Sequence, residues 1–307
     1  MNNLGNILFF VDGSPGQKAA LTRAADFAIH AGASLTIMAV VPKVSTDDER
    51  LSDSIQAIQD TLILERKTEL TELIKAVPDA KSATVDIVAG DKAFIEVIRA
   101  VVAEKFDLLI KAVDKPRGVK GSIFGSTDRR FLRQCPCPVW LIKNGKKKIR
   151  TVLAALDVTS NDNKTKRLSG QIMEIATSMT RLEKANMHAL AAWVEPLAPA
   201  MSHQIDTSVL SEIKQTHKDT ILERFSTLMK SKSAAGLDID EHVLYGLAED
   251  EIVRFVEDYD VDLLVMGTLS RSGIPGLLIG NTAEKVLEGV NCSVLTLKPQ
   301  GFRTVIK

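Results

Sequence analysis

Runs of consecutive apolar residues alternate along the chain with longer segments in which apolar residues recur at helical spacing. In the first half the apolar runs, each of which predicts a buried strand, are 7–11, 35–41, 85–88, 108–112 and 139–142. The segments of helical period, which predict helices, are 15–31, 47–76, 93–104 and 128–134. Strands that are apolar throughout are typical of parallel sheets with helices on both faces.

The second half repeats this order of elements. Its predicted strands are 152–156, 187–194, 242–245, 263–267 and 294–297, and its predicted helices are 169–181, 206–231, 249–258 and 282–289. The alternation predicts an α/β fold in which each half forms a doubly wound five-stranded parallel sheet. Ligands bind such sheets beyond the carboxyl ends of the strands, so the loops after residues 11, 41, 112, 156, 194 and 267 are the candidate site regions.

An internal repeat supports the division into two halves. Segments 107–110, 125–127 and 137–143 recur as 262–265, 280–282 and 292–298, and the members of each pair lie 155 positions apart, as 262 and 107 do. Three matches at one spacing indicate a duplicated unit. We therefore predict domains at 1–145 and 146–307, with the boundary where Gly145 and three lysines interrupt the apolar pattern.

The loop after the fourth strand of the second half has the character of an anion cradle. Gly267 ends the strand, and Gly280 precedes a predicted helix. Glycines let backbone N–H groups approach a phosphate, and a helix N-terminus adds unpaired donors and a favourable dipole. Asn281 or Thr282 can cap that helix or donate to a phosphate oxygen. A loop followed by a capped helix, with no ligand, accounts equally well for these residues.

Amino-acid composition argues against nucleic acid and membranes as binding partners. Lys plus Arg equals Asp plus Glu at 39 each, so no net field attracts nucleic acid or an anionic membrane. No apolar stretch reaches the length of a membrane span. The first residues lack a basic segment followed by an apolar run, so a cytoplasmic location is predicted.

Cysteine and histidine give no evidence of a metal or redox centre. The three cysteines, Cys135, Cys137 and Cys292, are predicted to be small buried hydrophobic residues, and the five histidines are scattered without ligand spacing. No metal site and no catalytic residue is predicted.

The residues that follow the first strand of each half resemble a motif of a known protein family. Val11-Asp12-Gly13-Ser14 follows the first strand and Asp157-Val158-Thr159 lies at its repeat. With Met266-Gly267 and the Gly-Asn-Thr segment at 280–282, the chain resembles the universal stress protein family, whose motif is Gly-x2-Gly-x9-Gly-Ser/Thr. The resemblance covers residues 6–299 and is to tandem, two-domain members. It implies adenine nucleotide alpha hydrolase-like domains, packed through strands 139–142 and 294–297 as an intramolecular pseudo-dimer.

The resemblance also implies a site in the second half for ATP or a related adenine nucleotide. In ATP-binding members the first-strand Asp, the exit of strand two and the glycine motif hold the adenine, ribose and phosphates. The residues carried over are Asp157, Val158, Thr159, Trp193, Met266, Gly267, Ser270, Arg271, Gly280, Asn281 and Thr282. Ser270 replaces the second glycine of the motif, and Asn281 replaces its Ser/Thr. Trp193 can either stack on an adenine or fill its space.

The first half departs further from the motif. Ala112 and Lys115 stand where the first two glycines belong, and Gly125-Ser126 retains the last pair. We therefore predict no ATP site in this half, with Asp12 retained to fix its own loop through backbone hydrogen bonds. The basic loop that contains Lys115, Arg117 and Lys120 is interpreted as a solvated loop, with anion binding as the alternative.

These observations favour a non-catalytic stress-response or regulatory module that senses a small ligand and acts on protein partners. Association of two pseudo-dimers into a homodimer is a further possibility. One alternative is an enzyme, a weak ATPase or nucleotide transferase, with Asp157 as the obvious cleft carboxylate and Glu195 nearby in sequence. Another is a scaffold or a binder of an apolar ligand or lipid, with Trp193 lining its cleft.

Overall fold

The computed structural model describes residues 4–113, 123–143, 148–195, 206–231, 233–268 and 279–306. In the first half the strands are β1 (Asn6–Val11), β2 (Ser34–Val41), β3 (Thr84–Ala89), β4 (Leu108–Ala112) and β5 (Val139–Ile142). The helices are α1 (Gln17–Ala31), α2 (Ser52–Lys75), α3 (Ala93–Glu104) and α4 (Ser126–Gln134). Short 3-10 turns occupy Glu49–Leu51 and Pro78–Ala80.

The second half contains the same series of elements. Its strands are β6 (Thr151–Leu156), β7 (Asn186–Trp193), β8 (Ile239–Tyr245), β9 (Leu263–Gly267) and β10 (Ser293–Leu297). Its helices are α5 (Asn163–Glu183), α6 (Thr207–Met229), α7 (Ala248–Asp258) and α8 (Asn281–Gly289).

All ten strands form one sheet, in the order β3-β2-β1-β4-β5-β10-β9-β6-β7-β8. Within each half every pairing is parallel, and the two halves meet where β5 and β10 pair antiparallel. Leu141 lies opposite Val294, and Trp140 lies opposite Leu295. The predicted α/β class and the pairing of the two final strands are therefore confirmed, and neither of these two strands is left as an open edge.

Several predicted element ends were wrong by a few residues. The helix predicted from residue 15 begins at Gln17, because Gly16 has a left-handed φ of 92°. The helix predicted over 47–76 begins at Ser52, after the 3-10 turn. The helix predicted from residue 169 begins at Asn163, where the Asp162 carboxylate accepts hydrogen bonds from the N–H groups of residues 164 and 165. Such a side-chain cap satisfies donors that have no partner within the helix.

Strand β8 begins at Ile239, three residues before the predicted start. The prediction missed these residues because Asp240 and Glu241 interrupt the apolar run. It is the outermost strand of its half and is only partly covered by helices, so polar residues are tolerated there.

The sheet is covered on both faces. Helices α1, α2, α5 and α6 pack on one face, and α3, α4, α7 and α8 pack on the other. Large side chains such as Phe9, Trp140 and Phe131 are fully buried, and each such burial contributes roughly 1.5–3 kcal/mol. None of the helices in the described ranges is long and apolar enough to cross a lipid bilayer.

Candidate functional site

A cleft opens in the second half where β6 and β9 lie side by side and their connections run in opposite directions. This is the point at which open α/β sheets bind ligands. The cleft has a volume of about 420 Å³. Its floor consists of apolar side chains from three neighbouring strands, and its rim carries Asp157, Glu249 and the N-terminus of α8. Among the predicted residues it brings together Asp157, Thr159, Trp193, Met266, Gly267, Gly280, Asn281 and Thr282.

The loop after β6 is held in place by its own side chains and by α6. Asp157 Oδ1 accepts hydrogen bonds from the Thr159 N–H at 3.0 Å and the Thr159 hydroxyl at 2.7 Å. Arg224 Nη1 donates to the backbone oxygens of Val158 at 3.1 Å and Thr159 at 3.0 Å. The Val158 side chain itself is buried in the core. These hydrogen bonds hold the loop that presents Asp157 at the cleft.

Gly267 permits close packing at the cleft wall. A Cβ atom at this position would lie 2.7 Å from Leu168 Cδ2 of α5, a distance that real side chains do not adopt. The glycine thus allows α5 to approach β9 closely. This packing role adds to the phosphate-cradle role that the motif suggests.

The N-terminus of α8 faces the cleft, but its cap differs from the prediction. Gly280 occupies the N-cap position, and Asn281 and Thr282 are the first helical residues, so the prediction that Asn281 or Thr282 caps the helix was wrong. The helix begins at residue 281, one residue before its predicted start, so the N-cap position falls on Gly280, which carries no side chain. Within the part of the chain that the structure describes, no side chain caps the first backbone N–H groups of α8, and this end of the helix lines the cleft.

Glu249, which the sequence did not single out, lies beside this helix terminus. Its Oε1 accepts a hydrogen bond from Lys285 Nζ at 2.8 Å and its Oε2 accepts one from the Thr282 hydroxyl at 3.3 Å. The hydrogen bond from Lys285 lowers the pKa of Glu249 below its usual value. The carboxyl group is therefore ionised at neutral pH.

Trp193 lies at the exit of β7, where its ring is only 5% exposed. The ring packs edge-on against Tyr245 at 5.1 Å and is tilted against His217 at 5.8 Å between centroids. The residue also lines the cleft, so this packing holds the ring in the cleft wall. Ser270 and Arg271 lie outside the described residues, as does the loop with Lys115, Arg117 and Lys120.

The first half has a buried cation where the second half has its cleft. Lys111 of β4 corresponds to Met266 of β9 in the repeat and is 0% exposed. Its Nζ lies 2.7 Å from Asp12 Oδ2 and 2.9 Å from Asp128 Oδ1, and it donates to the Ala112 carbonyl oxygen at 2.8 Å. Burial by itself lowers the pKa of Lys111, but the charges of Asp128 and Asp12 outweigh burial and raise it.

Each member of this cluster has a counterpart in the second half: Asp12 matches Asp157, Lys111 matches Met266, and Asp128 matches Ala283. Asp12 also accepts the Ser14 N–H at 3.1 Å, so the predicted role in fixing its loop is confirmed. Sequence reasoning missed Lys111 and Asp128, although a lysine within an apolar strand is a signal that its charge needs a partner.

Two histidines outside the cleft are closer than their sequence positions suggested. His188 Nδ1 of β7 lies 3.2 Å from His242 Nε2 of β8. Burial lowers the pKa of both rings. Within the described parts of the chain, no group of three or more His, Cys, Asp or Glu residues is arranged to hold a metal ion.

Comparison with known proteins identifies the family. The model of the universal stress protein family matches residues 3–143 and again residues 148–298. The chain belongs to the universal stress protein family. Both halves are therefore universal stress protein domains, and the chain is a tandem member.

The relatives of this tandem universal stress protein include proteins of the same two-domain length. It is 26% identical to Universal stress protein E of Escherichia coli strain K12, over 98% of this chain and 96% of that protein. It also matches the crystal structure of a functionally unknown protein from Pseudomonas aeruginosa PAO1, with a TM-score of 0.72, 25% identity, and coverage of 97% of this chain and 94% of that one.

One of the matching solved structures is a universal stress protein in complex with cAMP. That structure covers 50% of this chain and 99% of its own, with 22% identity and a TM-score of 0.32.

Proposed function

We propose that this protein is a non-catalytic stress-response module whose second half binds one small ligand of the adenine nucleoside or nucleotide class. The proposal is carried by the difference between the two halves. At equivalent positions, the first half places a buried ammonium between two carboxylates, and the second half places Met266 and Ala283 around a cleft of about 420 Å³.

The chemistry of the cleft suits a nucleoside. Ala155, Leu190 and Met266 provide an apolar floor for a flat base. Asp157 supplies a carboxylate acceptor, and the N-terminus of α8 supplies N–H donors for a ribose hydroxyl or a phosphate oxygen. The volume lies within the range of small-molecule sites, and the mixture of apolar walls with few polar groups is typical of them.

The same residues do not favour catalysis of phosphoryl transfer. Such a reaction needs carboxylates that hold Mg²⁺ near the phosphates, together with a group that positions the attacking water or alcohol. The described part of the cleft contains two carboxylates, Asp157 and Glu249, and Glu249 is paired with Lys285 at 2.8 Å, so this part of the cleft does not present a pair of carboxylates to Mg²⁺. We therefore propose a sensor whose ligand changes its interactions with protein partners.

The experiment that tests this proposal begins with the purified protein, denatured to release any bound small molecule, which is identified by mass spectrometry. Binding of adenosine, AMP, ADP and ATP is then measured by titration calorimetry for the wild type and for Asp157→Ala, and ATP hydrolysis is followed in parallel. We expect binding that is weakened at least tenfold in Asp157→Ala, and no turnover. A bound lipid, or no binding of any of the four compounds, contradicts the proposal. ATP hydrolysis abolished by Asp157→Ala contradicts its non-catalytic part.

A further inference from the structure

A carboxylate of the protein itself stands at the place where a helix N-terminus would attract an anion. Glu249 is the second residue of α7, its side chain is 13% exposed, and it lines the cleft. It accepts the hydrogen bond of the Thr282 hydroxyl, at the second residue of α8. A donor that would otherwise face a phosphate is thereby directed at Glu249.

The charges that line the cleft are unfavourable for a polyphosphate. Among the described lining residues there is no Lys or Arg, whereas Asp157 and Glu249 are both acidic. Lys285 partly offsets Glu249, to which its Nζ donates a hydrogen bond at 2.8 Å, but the Lys285 side chain is 61% exposed and is not among the described residues that line the cleft. A charge that is exposed to water is screened more strongly than one within a cleft.

The internal repeat shows that this carboxylate is not needed to join the two helices. Position 94 of α3 and position 130 of α4 correspond to Glu249 and Lys285, again 155 residues earlier. There the Arg130 guanidinium lies over the Phe94 ring, 4.6 Å from its centroid. The same helix pair is thus held by a cation–π contact in the first half, so packing alone does not call for an acid at position 249.

We propose that Glu249 determines the ligand class of the cleft: the cleft accepts adenosine or a singly phosphorylated adenine nucleotide and disfavours the di- and triphosphates. This inference rests on the proposed function, and it names the members of the ligand class that are bound. The physical reason is repulsion between the Glu249 carboxylate and each further phosphate charge that is brought to the N-terminus of α8.

The test compares the wild type with Glu249→Gln, which keeps the size of the side chain and an oxygen that can accept the Thr282 hydrogen bond. Glu251→Gln is the matched control, because Glu251 lies on the same helix, is similarly buried and also forms an ion pair, with Arg254, but does not line the cleft. Adenosine, AMP, ADP and ATP are titrated into each protein by calorimetry, with and without Mg²⁺.

For the wild type we expect adenosine and AMP to bind more tightly than ATP. In Glu249→Gln the Kd for ATP is expected to fall about tenfold while that for adenosine changes less than twofold, and Glu251→Gln is expected to behave as the wild type. This inference is overturned if the wild type binds adenosine and ATP with equal affinity. It is also overturned if Glu249→Gln binds ATP with Mg²⁺ more weakly than the wild type does. Either result leaves the proposed function intact. If none of the four compounds binds the wild type or the variant, both fail.

Discussion

Lys111 and Met266 occupy matching positions in the two related domains, but the two side chains differ in the partners that they need. An ammonium that is completely buried is tolerated only because two carboxylates lie within 3 Å of it. At the matching position an uncharged thioether needs no partner, and Ala283 leaves the space open. The two halves therefore differ in charge and polarity at matching positions of the sheet and of the helix that follows it.

Lys111→Met is predicted to lower the free energy of unfolding by about 3–5 kcal/mol, because it removes the ammonium that lies 2.9 Å from the buried Asp128 carboxylate. Denaturation by urea at neutral pH measures this loss. The double variant Lys111→Met/Asp128→Ala reproduces the pair found in the second half, and we expect it to recover part of the lost stability. A single variant as stable as the wild type would show that the ion pairs do not support the fold.

A second prediction for a single residue concerns Lys298 and the dependence of stability on pH. Burial lowers the pKa of Lys298 to about 8, so its charged form is disfavoured in the folded state. Between about pH 8 and pH 10.4 the unfolded chain binds more protons at this residue than the folded chain does, and stability contributed by this group therefore rises with pH.

Lys298→Met removes this contribution. Relative to the wild type, the variant is expected to gain stability below pH 8, and the stability difference between the two proteins should shrink as pH rises to about 10, by a total of roughly 3 kcal/mol. Urea denaturation of both proteins at several pH values measures the difference. A difference that does not vary with pH would refute the assigned titration.

At the scale of elements, close packing of α5 on β9 depends on a residue without a side chain. Gly267→Ala places a Cβ atom against Leu168, and overpacking of this kind is predicted to cost about 1–3 kcal/mol. Thermal or urea denaturation gives the value. In the background of Leu168→Ala, where the obstructing atoms are removed, the same glycine substitution should cost much less. Equal costs in both backgrounds would disprove the contact as the cause.

The sequence was sufficient to predict the elements whose burial is complete. Strands β1, β4, β6 and β9 are apolar nearly throughout, and their positions follow from that pattern alone. Strand β8 was predicted three residues too short, because an outer strand has polar residues that break the apolar run.

The site was predictable only where it is local in sequence. The loop at Asp157 and the segment from Gly280 to Thr282 are short motifs, so they could be recognised from sequence. The Glu249–Thr282 contact joins residues 33 positions apart, and the Lys111–Asp12 pair joins residues 99 apart. Such partners are set by the order of strands in the sheet, and no local pattern contains that information.

At the scale of the whole molecule, the antiparallel pairing of β5 with β10 makes one sheet from two domains. If residues 1–145 and 146–307 are produced separately, each has an unpaired edge with buried apolar residues such as Trp140 and Leu295 newly exposed. We predict that each half alone self-associates and that an equimolar mixture forms a complex with the mass of the full chain. Analytical ultracentrifugation measures these masses, and monodisperse, non-associating halves would contradict the prediction.

The central claim is that the two halves are unequal and that only the second binds a ligand. Titration calorimetry with adenosine tests this most directly, with Met266→Lys/Ala283→Asp as the matched variant, because it introduces the ion pair found at the matching positions of the first half. We predict one adenosine per wild-type chain and none for the variant, whose circular dichroism should show an intact fold. Two adenosines per chain, or undiminished binding to the folded variant, would contradict the account.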